Sequence, residues 1–288
     1  MDSDNRAHVR ESGDTLNSSF DDVSYEVLPL RETEEKVVTN LAATTRLTVT
    51  ASPARGIEPT VAVAERLAGR GYRVTPHLAA RMIADDVHLG EIVERLRDAG
   101  VDSAFIVGGD SKHPLGRYPD AQALLVALDT TGHHFAEIGV GGYPEGHTFI
   151  PDQVLDDALW AKSRLATYIT TQICFTAASI VEWARGLKRR GIELPVRVGV
   201  PGAVSRHKLL RISLAVGVGD SVRFLQKQQS MLWRFLMPGG YKPNKLIRGL
   251  VPHLGAADNN LHGFNIYTFN DLESTEAWRR KELARFFS

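Results

Sequence analysis

A glutamate lies inside the first apolar run of the chain, where nothing in the local sequence requires a charge. Residues 25–29 are Tyr-Glu-Val-Leu-Pro. A buried carboxylate without a partner is costly and tends to keep its proton, so Glu26 is a candidate general acid. The alternative is a residue at the rim of a site, with its charge paired to an arginine or a lysine.

Other polar residues follow later apolar runs in the same way. Asp110 comes after Gly108 and Gly109, which let the backbone approach a ligand closely, although an aspartate after glycine is also common in plain turns. Gln172 carries a donor and an acceptor that suit the edge of a heterocycle, or a polar layer that closes the fold. The remaining candidates are Thr50, His77, Tyr143, His147 and Tyr267. No His-x-His or His-Glu-x-x-His spacing occurs, so we expect no metal site.

The elements that must position these residues alternate along the chain. Eight short β-rich runs are separated by segments that are apolar at helical spacing and often end at a glycine. The predicted strands are Val23–Leu28, Arg46–Ala51, Tyr72–Leu78, Ser103–Val107, Phe135–Val140, Thr167–Cys174, Val196–Val200 and Phe264–Phe269. The predicted helices include Thr60–Ala68, Leu89–Ala99, Ala121–Leu128, Gln153–Ser163 and Ile180–Arg190.

Strands that alternate with helices imply right-handed crossovers and a parallel sheet, and eight such units favour a closed barrel over an open sheet. We therefore predict a single (β/α)8 TIM barrel over residues 21–288, preceded by a flexible polar leader at 1–20. The stretch from Ala203 to Leu261 is too long for one crossover helix and predicts extra helices between strands 7 and 8. The carboxyl ends of the strands meet at one mouth of such a barrel, where the candidate residues would gather.

Composition restricts the class of partner. Lysine plus arginine and aspartate plus glutamate both total 34, so no net field draws the chain to nucleic acid or to a membrane. A single cysteine, Cys174, excludes an internal disulfide framework and fits a reducing compartment. With no long apolar run and a polar N-terminus, we expect a cytoplasmic protein that binds a small molecule. The oligomeric state stays open.

Five motifs, in order from Ser24 to Asn270, resemble the methylenetetrahydrofolate reductase family. Residues 25–29 resemble its first-strand Phe-Glu-Phe-x-Pro, and Pro-His-Leu at 76–78 resembles its Pro-His-Leu-Thr. Gly-Asp at 109–110 resembles the family's Arg-Gly-Asp, and residues 142–147 resemble its Tyr-Pro-Glu-x-His. Thr-Gln at 171–172 and residues 267–270 resemble its Thr-Gln-Phe and Phe-Tyr-Thr-Leu-Asn.

The resemblance implies an oxidoreductase of one-carbon metabolism and methionine biosynthesis that reduces 5,10-methylenetetrahydrofolate to 5-methyltetrahydrofolate. It implies that Glu26 protonates the bridging nitrogen and that Asp110 stabilises the resulting cation. Gln172 and Tyr267 would bind the reduced folate. The residues implied at the cofactor are Thr50, His77, Gly109, Tyr143 and His147.

The sequence also departs from the family, which normally carries FAD. The arginine before Gly-Asp is replaced by Gly108, and the usual Tyr-Ala after this loop is Tyr118-Pro119. The lysine-rich helix is reduced to Lys162 and Arg164, and the arginine expected after the last motif is Asp271. A pyrophosphate needs such donors, so the departures favour direct hydride transfer from NADH or NADPH over bound FAD. An FAD- or deazaflavin-dependent reductase, and a non-catalytic folate-binding or regulatory barrel, are the alternatives.

Overall fold

Eight parallel strands form a closed barrel in the computed structural model, which describes residues 23–147, 150–203 and 243–286. Each strand pairs with the next along the chain, and the eighth pairs with the first, so the predicted (β/α)8 barrel is confirmed. The strands are β1 Ser24–Val27, β2 Arg46–Val49, β3 Arg73–Ala79, β4 Ser103–Val107, β5 Glu137–Gly142, β6 Tyr168–Thr171, β7 Val196–Pro201 and β8 Leu261–Tyr267.

Helices follow the strands. Within the described residues they are α1 Thr33–Asn40, α2 Glu58–Ala68, α3 Asp86–Asp98, α4 Ala121–Thr131, α5 Asp152–Ser163, α6 Ala177–Arg189, α7 Asn244–Leu250 and α8 Leu272–Phe286. The five helices named from the sequence are α2 to α6, with ends that differ by up to three residues. Helix α7 is one of the extra helices predicted between β7 and β8. Residues 204–242 and the predicted leader lie outside the described ranges. None of the described helices has the length and apolarity needed to cross a bilayer.

Strand β5 lies two residues later than its apolar pattern predicts. It begins at Glu137 and continues through Gly141 and Gly142, although glycine is a poor strand former. Packing explains this, because a Cβ on Gly142 would lie 2.5 Å from the Trp183 ring and 2.8 Å from Ile169. The shift places Tyr143 directly after the strand.

The amino-terminal half of the barrel is filled by large side chains. The Arg197 guanidinium lies 4.8 Å from the centre of the Tyr168 ring, and Tyr168 lies beside Phe105 with their ring centres 6.3 Å apart. Gly139 makes room for both rings, since a Cβ there would lie 2.3 Å from Tyr168 and 2.5 Å from Phe105. These side chains occupy the barrel interior below the carboxyl ends of the strands.

Candidate active site

A cavity of about 780 Å³ opens at the carboxyl ends of the strands. All nine residues singled out from the sequence line it: Glu26, Thr50, His77, Gly109, Asp110, Tyr143, His147, Gln172 and Tyr267. Because these residues come from strands or loops all around the barrel, closure of the sheet is what brings them together. Their individual roles stay predictions.

Glu26 lies at the floor of the cavity, with 14% of its side chain exposed. Its backbone carbonyl accepts a hydrogen bond of 2.6 Å from Thr268 Oγ1, which fixes the strand at this point. Burial raises the pKa of the Glu26 carboxyl to about 8, and a hydrogen bond from the Asn265 side chain opposes this rise. The Ser24 hydroxyl donates to Asn265 Oδ1 at 2.6 Å, which turns the Asn265 nitrogen toward Glu26.

His77 is a titratable group beside Glu26. Its Nε2 lies 3.8 Å from Glu26 Oε2, too far for a hydrogen bond. Burial lowers the pKa of His77 to about 3, and its ring packs on Phe105 at 4.7 Å between centres. At neutral pH the pair is therefore mainly a protonated carboxyl beside a neutral imidazole. No described lysine or arginine forms an ion pair with Glu26.

The loop after β5 supplies aromatic surface and a backbone acceptor. Gly146 has a φ of +72° and its N–H donates to the Tyr143 carbonyl at 3.1 Å, which makes a tight turn. The Tyr143 and His147 rings meet edge to face, with 5.6 Å between centres. Gln172 Nε2 donates to the Gly146 carbonyl at 2.7 Å, so this turn and the end of β6 are directly joined.

The hydroxyl-bearing residues Tyr267 and Thr50 complete the inner wall of the cavity. The Tyr267 hydroxyl donates to the Thr171 carbonyl at 2.9 Å. Burial, and then the charge of Glu26, raise the pKa of Tyr267 well above its usual value, so this phenol keeps its proton. Thr50, which lines the cavity, has a buried Oγ1 with no hydrogen-bond partner among the described residues.

Asp110 is exposed at the rim of the cavity. It does not begin a helix: α4 is capped by Asp120, whose Oδ1 accepts from the Ala123 N–H at 2.9 Å. Burial, and secondarily the Asp110 charge, raise the pKa of Tyr143, and both residues line the cavity. The preceding Gly109 has a φ of +85°, and a Cβ there would lie only 3.1 Å from the Ala79 Cβ, which favours glycine at this position.

Charged groups on the cavity wall balance one another among the described residues. The cations are Arg81 and Lys162, and the carboxylates are Asp110 and Asp120. Arg81 donates through Nε to Pro119 O at 2.7 Å and through Nη1 to Ser111 O at 3.1 Å, so part of its guanidinium holds the loop after β4. Burial lowers the pKa of Lys162, and the nearby Asp120 opposes this change.

Sequence reasoning missed Asn265 and Arg81 as parts of the site. Asn265 is 1% exposed and lies two residues before Tyr267 on β8, so the alternation of a strand could have indicated it. Arg81 had no comparable signal. Asn270, by contrast, has a structural role: it accepts from the Leu28 N–H at 2.8 Å and donates to Thr33 Oγ1 at 2.8 Å. Within the described ranges no group of three His, Cys, Asp or Glu side chains has the arrangement of a metal site.

The fold and the position of the cavity define a TIM-barrel protein whose candidate site lies at the carboxyl ends of the strands. No protein-family model matches the chain. Among solved structures, the chain is similar to an uncharacterized protein from Clostridium thermocellum that binds two copies of 5-methyl-5,6,7,8-tetrahydrofolic acid. That match has a TM-score of 0.57 and 13% identity, and it covers 94% of this chain and 98% of the other. A mandelate racemase/muconate lactonizing enzyme from Bordetella bronchiseptica matches at a TM-score of 0.41 and 13% identity, over 85% of this chain and 52% of its own. At 13% identity the match to the Clostridium thermocellum protein shows the fold alone.

Proposed function

We propose that the protein reduces 5,10-methylenetetrahydrofolate to 5-methyltetrahydrofolate with hydride from NADH or NADPH. The observation that carries the proposal is Glu26, a carboxyl with a pKa raised by burial to about 8, at the floor of a ligand-sized cavity. A general acid works best with a pKa near the operating pH. Neutral His77 beside it neither takes its proton nor pairs with its charge.

In the proposed reaction the Glu26 proton moves to the bridging nitrogen of the substrate while the bond from that nitrogen to the methylene carbon breaks. The other nitrogen then holds the methylene carbon as an iminium cation. Hydride from the reduced nicotinamide adds to that carbon and completes the methyl group, and Glu26 regains a proton from solvent. Asp110, at the rim, supplies negative charge toward the cation. The nicotinamide supplies the hydride, so the protein mainly has to position donor and acceptor.

The choice of a reduced folate is supported by the fold comparison and by the polar groups of the inner wall. The similar barrel from Clostridium thermocellum binds 5-methyltetrahydrofolic acid, which would be the product here. Gln172 and Tyr267 border the same cavity as Glu26, and Gln172 offers an amide to the edge of a pterin. Together with the five sequence motifs, these features favour a folate over other small molecules.

The charge balance of the cavity supports a dissociable nicotinamide over a resident flavin. The family resemblance implies FAD, whose pyrophosphate needs several cationic donors. The described wall offers Arg81 and Lys162, matched by Asp110 and Asp120, and Arg81 is partly occupied by backbone carbonyls. These residues do not fit a tightly held pyrophosphate. Weak binding of the pyrophosphate suits NADH or NADPH, because the oxidised nicotinamide must dissociate after each turnover.

Spectra and kinetics test this proposal. We expect the purified protein to be colourless and to oxidise NADH or NADPH anaerobically when methylenetetrahydrofolate is present and no flavin is added. Initial rates should show a ternary complex, because without a flavin no reduced enzyme stores the hydride. A stoichiometric yellow chromophore that survives dialysis, or parallel double-reciprocal lines, would instead support the flavin-dependent alternative.

A variant tests the acid. Glu26→Gln should keep folate binding and lower turnover by about 10²- to 10⁴-fold, the range for losing a general acid. Glu58→Gln is the matched control, because Glu58 is a surface carboxylate on α2 that pairs with Arg95. Wild-type turnover in Glu26→Gln would refute the mechanism. Folate binding without any reduction by the wild-type protein would favour the non-catalytic folate-binding alternative.

A further inference from the structure

Gln172 is held in one orientation by the loop after β5. Its Nε2 donates to the Gly146 carbonyl at 2.7 Å, and its backbone N–H donates to the Gly142 carbonyl at 2.9 Å. A carbonyl oxygen only accepts hydrogen bonds, so the nitrogen end of the Gln172 amide must face Gly146. No described residue donates to Gln172 Oε1. The oxygen is therefore the end of the amide left for a ligand in the cavity.

The Gly146 carbonyl is in turn fixed through its neighbour Glu145. The Glu145 Oε1 atom accepts from the backbone N–H groups of Phe175 at 3.0 Å and Thr176 at 2.8 Å. Thr176 directly precedes α6, and both N–H groups belong to the loop after β6. The loops after β5 and β6 are thus joined by two sets of hydrogen bonds. The Glu145 side chain accepts from the backbone next to α6, and the Gln172 side chain donates to the backbone of Gly146, beside Glu145.

We propose that Glu145 is a positioning residue that orients Gln172 as a hydrogen-bond acceptor and so selects ligands with an N–H donor edge. A pterin has such an edge, made of a ring N–H and the adjacent 2-amino group, so this inference rests on the proposed function. Glu145 does not touch the ligand in this arrangement. It acts by holding the Gly146 carbonyl where the Gln172 nitrogen must meet it.

Helix capping alone would be a simpler role for Glu145, and the chain offers a matched control for it. Asp85 caps α3 by accepting from the His88 N–H at 2.9 Å, and Asp85 does not line the cavity. Loss of either carboxylate removes acceptors for backbone N–H groups near a helix N-terminus, but only Glu145 is connected to Gln172. An effect of capping alone would therefore appear as lower stability, with ligand preference unchanged.

The test measures binding by calorimetry for the full chain with 5-methyltetrahydrofolate and with its 2-desamino analogue, which lacks the amine. We expect the wild type to prefer the amino compound by about 10-fold, as for one hydrogen bond to a buried acceptor. Glu145→Ala should lose this preference by weakening the amino compound alone. Glu145→Gln, which keeps an acceptor oxygen, should retain it, and so should Asp85→Ala.

The outcomes separate this inference from the proposed function. If Glu145→Ala binds both compounds more weakly by the same factor, or keeps the wild-type preference, the role of Glu145 is overturned. The proposed function would still stand, because the wild type binds folate. Equal affinity of the wild type for the two compounds would overturn the acceptor role of Gln172. No binding of either compound by the wild type would overturn the proposed function and this inference with it. Thermal melting of each variant by circular dichroism checks that it is folded. Glu145→Gln is a smaller change than Glu145→Ala, so it remains informative if the alanine variant does not fold.

Discussion

Replacing Glu26 with glutamine should make the protein more stable, by an amount that depends on pH. Burial raises the pKa of the Glu26 carboxyl from 4.5 to about 8, so the folded protein disfavours the ionised form. Between these values the folded state holds a proton that the unfolded chain has released. Stability therefore falls as pH rises through this window, by about 1.4 kcal/mol per pH unit. Glutamine cannot ionise and escapes this penalty.

The magnitude follows from the width of the window. At pH 7 the pH is 2.5 units above the carboxyl's unfolded-state pKa of 4.5, so Glu26→Gln should raise the free energy of unfolding by about 3 kcal/mol. Above pH 8 the gain should level off at about 5 kcal/mol, and at pH 5 it should be less than about 1 kcal/mol. A gain of this size is large beside the total stability of an ordinary domain, about 5–15 kcal/mol.

Urea unfolding of the wild type and Glu26→Gln at pH 5, 7 and 9 would measure this difference. The low pKa of His77 makes the stability of both proteins rise with pH between about 3 and 6.5, but that contribution is shared and largely cancels. Glu58→Gln should instead lower the stability of the folded protein. Arg95 lowers the pKa of Glu58, and the variant loses this stabilising ion pair. A difference between wild type and Glu26→Gln that stays constant from pH 5 to 9 would refute the assigned burial cost.

The same carboxyl predicts a pH profile: kcat/KM for folate reduction should fall as pH rises through about 8, because the acid must be protonated. In Asn265→Leu that fall should move to higher pH, since the hydrogen bond that favours the carboxylate is lost; an unmoved profile would contradict the assignment. Gly139→Ala should lower the urea midpoint by the equivalent of about 1–3 kcal/mol, because the new methyl would overlap Tyr168. Gly90→Ala, with open space in the interior of α3, should instead stabilise by about 0.5–1 kcal/mol.

The barrel could be predicted because its signal is repeated and local. Each β-rich run followed by a helical segment independently indicated a βα unit, and small errors in one unit did not alter the count. The error at β5 has a physical cause, since Gly141 and Gly142 owe their strand conformation to the rings and strands packed against them. Such packing is a property of the closed barrel and leaves no trace in the apolar pattern of the run itself.

The cavity-lining residues could be predicted for a related reason. Once the chain is a parallel barrel, the carboxyl ends of all its strands lie at the same mouth, so Glu26 and Gln172 line one cavity although 146 positions separate them. Contacts across the mouth could not be predicted. The bond from Gln172 to Gly146 and those from the Phe175 and Thr176 N–H groups to Glu145 depend on distances between loops that no spacing in the sequence encodes.

Because Glu26 and His77 are both neutral before the proposed reaction, Glu26 must return to its protonated form after each turnover. Proton transfer from Glu26 would leave a carboxylate with only 14% of its side chain exposed, which is unfavourable for an isolated charge. The same step creates the iminium cation, so the two charges appear together and stabilise each other. A protonated imidazole at His77 would oppose that cation, and its low pKa prevents this. Once hydride neutralises the iminium, the carboxylate again lacks a partner, and its high proton affinity returns Glu26 to the acid form.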